Sequence, residues 1–220
     1  MTKVAVILSG SGFLDGSEIQ ESVITLLSLD KAGVEYQCLA PDMEQMHVVN
    51  HLTGEVSEGE TRNVLVEAGR IARTEIMNIA SANPSEYDAV IFPGGFGAAK
   101  NLSNFAVKGA ESAIQSDVLQ FVSTFAALER PMGFVCIAPA MIPHIFGARA
   151  KLTIGSDADT AAAIEEMGGI HVSCPVKEYV VDEERKIVST PAYMLDKRIS
   201  EVAVGIEKLV NKVLEMVDGK

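Results

Sequence analysis

Cys136 follows the apolar run Met132 to Val135 and precedes Ile137-Ala138-Pro139-Ala140, so a buried strand ends on a cysteine and a small-residue helix start follows. A sharp strand-to-helix bend pushes its side chain into the cleft above the strand ends. The start of the next helix favours negative charge, which predicts a lowered thiol pKa and a raised thiolate fraction. An inert, buried structural cysteine is the competing reading of the same position. A second apolar run, Ala89 to Phe92, leads into Pro93-Gly94-Gly95. With no Cβ in the way, a backbone N–H there can approach a ligand closely, and together with the N–H of Ile137 it would make a two-donor oxyanion hole beside Cys136. A turn chosen only for its backbone angles reads the same way. Glu21 lies in the first turns of a helix starting over the same cleft, and Glu18 stands nearly one turn earlier. A carboxylate beside a thiolate repels it unless the acid keeps its proton and donates it to sulfur. A solvated surface glutamate is the plain alternative for either position.

These groups act together only if several strands end at one edge. Val4 to Leu8 is an unbroken apolar run, as a strand buried on both faces should be. Gly10-Ser11-Gly12 turns the chain, and Ser17 with Gln20 has the spacing of a capping box. Ile19, Val23, Leu26, Leu27 and Leu29 predict an apolar helix face closed by Gly33, and Val34 to Ala40 reads as a second strand before Pro41. A strand–helix–strand crossover makes its two strands parallel. After a polar stretch from Asp42, the apolar positions Val64, Leu65, Ala68, Ile71, Ala72, Ile76 and Ile79 predict one long helix ending at Asn83-Pro84. Further helices are expected over about 117–129 and 160–167, with strands near 152–154, at Val180 and over Ile187 to Thr190. Ile199 to Val217 carries the cleanest three-and-four periodicity. The alternation predicts a single α/β domain over residues 1–220, a three-layer flavodoxin-like sandwich with a mostly parallel sheet. The connection at about 42–84 is longer than a minimal fold needs. In such a sheet, ligands bind beyond the C-terminal strand ends, where the glycine turn after the first strand, Gly94-Gly95 and Cys136 all fall.

Composition narrows the function classes. The 220 residues carry a formal net charge of −12, with 48% hydrophobic and 22% charged residues, which fits a globular chain. That acidity argues against nucleic acid or an anionic membrane as partner, since both recruit clustered Lys and Arg. No apolar run reaches membrane-spanning length, and no basic n-region precedes Val4, so no secretory signal is expected. Three cysteines, Cys38, Cys136 and Cys174, cannot all pair and fit no zinc spacing, which points to a reducing cytoplasm. Gly10-Ser11-Gly12 is a weak dinucleotide signal, because the third glycine is Gly16 and acidic Asp15 and Glu18 flank the presumed pyrophosphate site. His47 and His51, four apart, could clip a metal from one helical turn, but no third ligand accompanies them.

The segments Ser9 to Ser22, Asn50 to Gly54, Glu60 to Leu65, Pro93 to Ser103 (PGGFGAAKNLS), Gly133 to Pro143 (containing CIAPAM) and Thr190 to Leu195 resemble the ElbB subfamily of the ThiJ/PfpI superfamily. Members have class I glutamine amidotransferase-like folds, and ElbB is named for enhancing lycopene (isoprenoid) biosynthesis. The resemblance implies a nucleophilic Cys136, Glu21 rather than Glu18 as its acid partner, and Gly95 and Ile137 as oxyanion donors. It also implies a homodimer and a glutathione-independent glyoxalase activity on methylglyoxal or glyoxal, with no metal or organic cofactor. The partner is then a small reactive aldehyde. Where peptidase-like relatives place a histidine after the cysteine, this chain has Ile137, and Thr190 to Leu195 lacks the histidine of amidotransferases. The Cys-His hydrolase readings thereby lose their base, while His47, His51, His144 and His171 stay open as auxiliary groups. A redox or electrophile sensor built on the same cysteine is the non-enzymatic alternative.

Overall fold

The computed structural model describes residues 1–195 and 197–219. In chain order the elements are β1 (Lys3–Ile7), α1 (Ile19–Lys31), β2 (Glu35–Ala40), α2 (Val64–Ile71), β3 (Ile76–Asn78), β4 (Ala89–Phe92), α3 (Phe96–Lys100) and α4 (Phe105–Lys108). There follow α5 (Ser116–Ala127), β5 (Met132–Val135), α6 (Ile142–Phe146), β6 (Lys151–Leu152), α7 (Ala158–Glu166), β7 (Ile170–His171), β8 (Val180–Asp182), β9 (Ile187–Thr190) and α8 (Ile199–Val217).

The main sheet has seven strands in the order β3-β2-β1-β4-β5-β9-β8. All its neighbours run parallel except β8, which returns antiparallel to β9. The fold is α/β and flavodoxin-like, and its strand order reverses between β1 and β4. Alternation along the strands feeds two cores. Ala5, Ile7, Phe92 and Phe134 face α5 and α6, with the two phenyl rings stacked at 5.0 Å. Val4, Val6, Ile91 and Val135 face α8, whose Val202, Ile206, Leu209, Val210 and Val213 are fully buried. Burying such side chains contributes roughly 1.5–3 kcal/mol each, the force that holds the strand ends in line.

Four local expectations are corrected. The long helix predicted to Ile79 stops at Ile71, because Arg73 and Thr74 take left-handed backbone angles (φ 51° and 72°) and Ile76–Asn78 joins the sheet as edge strand β3. The segment near 152–154 contributes only Leu152 to a strand, β6, which pairs with β7 in a separate two-stranded sheet. Ser17 does not cap α1: its hydroxyl accepts the Ser9 N–H at 2.8 Å, and the Glu18 carboxylate caps the helix instead. Finally, Ile19, Val23 and Leu27 lie about half exposed, while α1 buries Glu21, Ser22, Thr25, Ser28 and Leu29. The hydroxyls of Ser22, Thr25 and Ser28 return to carbonyls one turn back, so this polar face packs inward satisfied.

Candidate functional site

Four connections meet at the C-terminal edge of the sheet: the loop after β1, the glycines after β4, the bend after β5 and the segment after β9. Cys136 stands on the bend with φ at +62°, a left-handed angle that a residue with a Cβ holds only at a cost of about 1–3 kcal/mol. Its N–H donates to Thr190 O (3.0 Å), so β9 braces the strained residue. The sulfur-bearing residue is 7% exposed, barely open to solvent.

Glu21, fully buried, sits on the first turn of α1. Its Oε2 accepts the Gly94 N–H at 2.9 Å and its Oε1 accepts the Tyr193 N–H at 3.2 Å. Burial first, and then the charge of Glu18, raises its pKa from 4.5 to about 8, against the pull of those N–H groups and of Cys136. The Glu21 carboxyl and the N–H groups of Gly95 and Ile137 all bear on the Cys136 sulfur. Among the described residues none of these closes to ordinary hydrogen-bond geometry, the loose spacing often seen in a resting site. Cys136 and Glu21 thus stand together, with Gly95 and Ile137 directed at the sulfur.

The glycines are explained by crowding. A Cβ on Gly94 would run into the Cys136 Cβ and lie 2.6 Å from Glu21 Oε2, and Gly95, at φ +94°, is packed against the backbone of Gly16 to Glu18. The remainder of PGGFGAAKNLS builds the floor. Buried Asn101 donates to Ser9 O and Asp15 O, both at 2.9 Å, and accepts the Met46 N–H, pinning the β1–α1 loop and the long connection together.

The expected lowering of the thiol pKa is reversed. Burial and the adjacent Glu21 push Cys136 well above its ordinary value, opposed by the N–H groups of Gly95 and Ile137. The chain after the bend is a four-residue 3-10 turn, Ala138–Met141, with Pro139 inside it, rather than a full helix with an aligned set of free N–H donors. Both causes favour the thiol over the thiolate at Cys136.

None of the four histidines acts on Cys136 or Glu21 among the described groups. His144 Nε2 pairs with Ser112 Oγ at 2.9 Å, and His51 lies between Val49 O (3.0 Å) and the Leu14 N–H (3.3 Å). His47 and His171 each keep a buried ring nitrogen without a partner. The turn expected to align His47 with His51 is not helical, and no cluster of three potential metal ligands occurs among the described residues. The Gly10–Gly16 loop is filled by its own chain: a Cβ on Gly12 would meet the His51 ring, which leaves no cradle for a pyrophosphate. Sequence reasoning missed Tyr193 and Thr190 as supports of the pair. Their signal was present in the Thr190–Leu195 segment, whose contribution is backbone N–H and C=O rather than side-chain chemistry.

Comparison with known proteins places this geometry. No family model matches the chain. It is 42% identical over 223 residues to the human (Homo sapiens) glutamine amidotransferase-like class 1 domain-containing protein 3, mitochondrial, covering 97% of this chain and 83% of that protein. The rat (Rattus norvegicus) ES1 protein homolog, mitochondrial, is 41% identical with 97% and 84% covered. The chain belongs to the ES1 family of glutamine amidotransferase-like class 1 proteins. A crystal structure of an isoprenoid biosynthesis protein with an amidotransferase-like domain from Ehrlichia chaffeensis superimposes with a TM-score of 0.91 at 38% identity, over 98% of this chain and 99% of that one. These relatives match the ElbB-like, ThiJ/PfpI character expected of the sequence. A glyoxalase III from Candida albicans (TM-score 0.60, 14% identity, 97% and 96% covered) shares the fold alone. The cytoplasmic placement expected from the cysteines is overturned, since both curated relatives are named mitochondrial. Free thiols report a reducing environment rather than an organelle, and cellular address is carried by signals read by receptors, not by core composition. No helix of the described residues is long and apolar enough to cross a membrane.

Proposed function

We propose that the chain is a glutathione-independent, glyoxalase III-type enzyme that converts methylglyoxal or glyoxal to lactate or glycolate. One observation carries this reading: a strained, nearly sealed cysteine shares its surroundings with a protonatable, fully buried glutamate and two backbone donors, with no histidine joined to them. A hydrolase of the Cys-His type needs a base that is missing here, whereas an internal proton shift needs one group that both takes and returns a proton near neutral pH. Glu21, titrating near 8, suits that work.

In methylglyoxal conversion, ionised Glu21 accepts the thiol proton as the Cys136 sulfur bonds to the aldehyde carbon. The carbonyl oxygen gathers negative charge between the N–H groups of Gly95 and Ile137, where fixed dipoles stabilise it, and then receives the proton from Glu21. The product is a hemithioacetal. Glu21 next removes the hydrogen from C1 and the electron pair shifts toward the C2 carbonyl to give an enediolate; the C1 hydroxyl proton passes to the C2 oxygen as C1 becomes a carbonyl, and Glu21 delivers its proton to C2. The resulting lactoyl thioester is hydrolysed by one water, freeing lactate and the thiol. Covalent catalysis by sulfur makes the sequence independent of a cofactor. The family link to isoprenoid metabolism belongs to the same reading, as the setting in which such a detoxifying activity would serve.

The test is lactate formation from methylglyoxal without glutathione, compared with Cys136→Ala. Multiple turnovers, absent in the variant, support the reading. Slow stoichiometric modification of Cys136 without turnover would overturn it in favour of an electrophile sensor.

A further inference from the structure

Glu21 is not the only carboxylate at this edge of the sheet. Glu18, one turn earlier, caps α1: its Oε2 accepts the Glu21 N–H at 2.6 Å. Its own N–H donates to Gly94 O at 2.9 Å, and its backbone packs so closely on Gly95 that only a glycine fits there. One residue therefore ties the helix that carries the acid to the loop that carries the Gly95 donor. Among the described residues, neither Glu18 nor Glu21 has a basic ion-pair partner, so nothing nearby neutralises a charge on Glu18.

We propose that Glu18 is a positioning residue whose negative charge, held one turn from Glu21 by the helix cap, disfavours a second charge on Glu21, so that the acid gives back the proton it takes from Cys136. This rests on the glyoxalase reading only for its consequence in turnover; the electrostatic coupling stands on the geometry. A like charge one helical turn away disfavours ionisation, and the buried site weakens the screening that water would supply. The groups facing Glu21 from other elements do not substitute for it. The β4–α3 loop offers the N–H of Gly94, and the segment after β9 offers the N–H of Tyr193, both of which favour the ionised acid. The Tyr193 phenol is turned away onto Gln20 Oε1, and the bend after β5 brings only the Cys136 thiol. Among the described residues, Glu18 is thus the neighbouring charge that adds to burial in holding the proton on. Burial raises the pKa of Glu18 too, against the N–H groups of Glu21 and Gln20, which favour its charged form in the cap.

The experiment replaces the charge and keeps the cap. In Glu18→Gln the amide oxygen still accepts the Glu21 N–H, and in Glu18→Ser the hydroxyl does so, guarding against a failure of the first variant to fold. The Glu21 titration is followed by infrared difference spectroscopy of its carboxyl, with Glu21→Gln identifying the band, and by the pH profiles of methylglyoxal turnover and of Cys136 alkylation by iodoacetamide. The expected result is a fall of about one pH unit in the Glu21 midpoint in both variants, mirrored in the alkylation profile, with recovery in Glu18→Asp. An unchanged midpoint accompanied by a lower melting temperature would reduce Glu18 to an ordinary helix cap and overturn the proposal. Wild-type protein that shows the spectroscopic shift but no turnover would sink the glyoxalase reading and leave this coupling standing.

Discussion

Cys136 and Cys38 are both buried thiols in the same parallel sheet, exposed by 7% and 2%, yet only one sits in a place that can do chemistry. Cys38 lies within β2, in register between Val6 and Ile76, beneath a groove of about 760 Å³ lined by Val23, Leu26, Leu27, Tyr36 and Ile71. Burial alone lifts its pKa to about 12, and no donor opposes it. Cys136 is buried too, but it stands one residue past the end of β5: its own N–H still goes to Thr190 O, while the N–H groups of Gly95 and Ile137 are directed at the sulfur. Gly95 and Ile137 can therefore pull against the burial. Cavity size does not separate the two thiols; backbone donors directed at the sulfur from a strand end do.

Four experiments break or sharpen that contrast. The largest effect is expected from Cys136→Ser, which should reduce lactate formation by about 10³-fold or more, as losing a covalent nucleophile does. Next, Glu21→Gln should lower kcat/KM by about 10²–10³-fold in steady-state assays, since it removes the proton carrier. The same substitution reads out in stability. Glu21 titrates at 4.5 in an unfolded chain and at about 8 when folded, so the folded chain binds the extra proton between those values. The contribution of Glu21 to stability is therefore fully present below pH 4.5 and is lost as pH rises to 8. That gap of about 3.5 pH units corresponds to roughly 5 kcal/mol, and Glu21→Gln should remove that part of the decline in urea titrations across the range. Gly95→Ala comes third: a methyl group forced against the backbone of Gly16 to Glu18 at φ +94° should cost about 2–4 kcal/mol by thermal melting. Smallest is Cys38→Ala, expected to change kcat/KM by less than about twofold, because a thiol raised by burial without opposing donors takes no part in the reaction. A loss of activity there equal to that of Cys136→Ser would erase the distinction between the two cysteines.

Much of the fold was readable from pattern. The apolar runs at Val4, Ala89 and Met132 became β1, β4 and β5, and the periodicity of Ile199 to Val217 became α8, because a strand buried on both faces and an amphipathic helix each leave a one-dimensional trace. Ile76 to Asn78 misled for the same reason: three apolar or small residues in register with a helix are equally in register with a short edge strand, and only pairing with β2 decides between them. The exposed stripe of Ile19, Val23 and Leu27 shows the limit again, since amphipathicity names two faces and packing chooses which one goes inside.

Residue type and spacing by themselves determined that Cys136, the double glycine at 94 and 95 and the glycine turn after the first strand would meet at the C-terminal edge of a parallel sheet, because chain connectivity and strand direction are local properties; the acid, Glu21, came from family resemblance. The tertiary structure alone decided the direction in which burial shifts the acid and the thiol, the separation of all four histidines from the pair and the support lent by Tyr193 and Thr190. Those depend on desolvation and on distances between segments far apart in the chain, which no window of sequence contains.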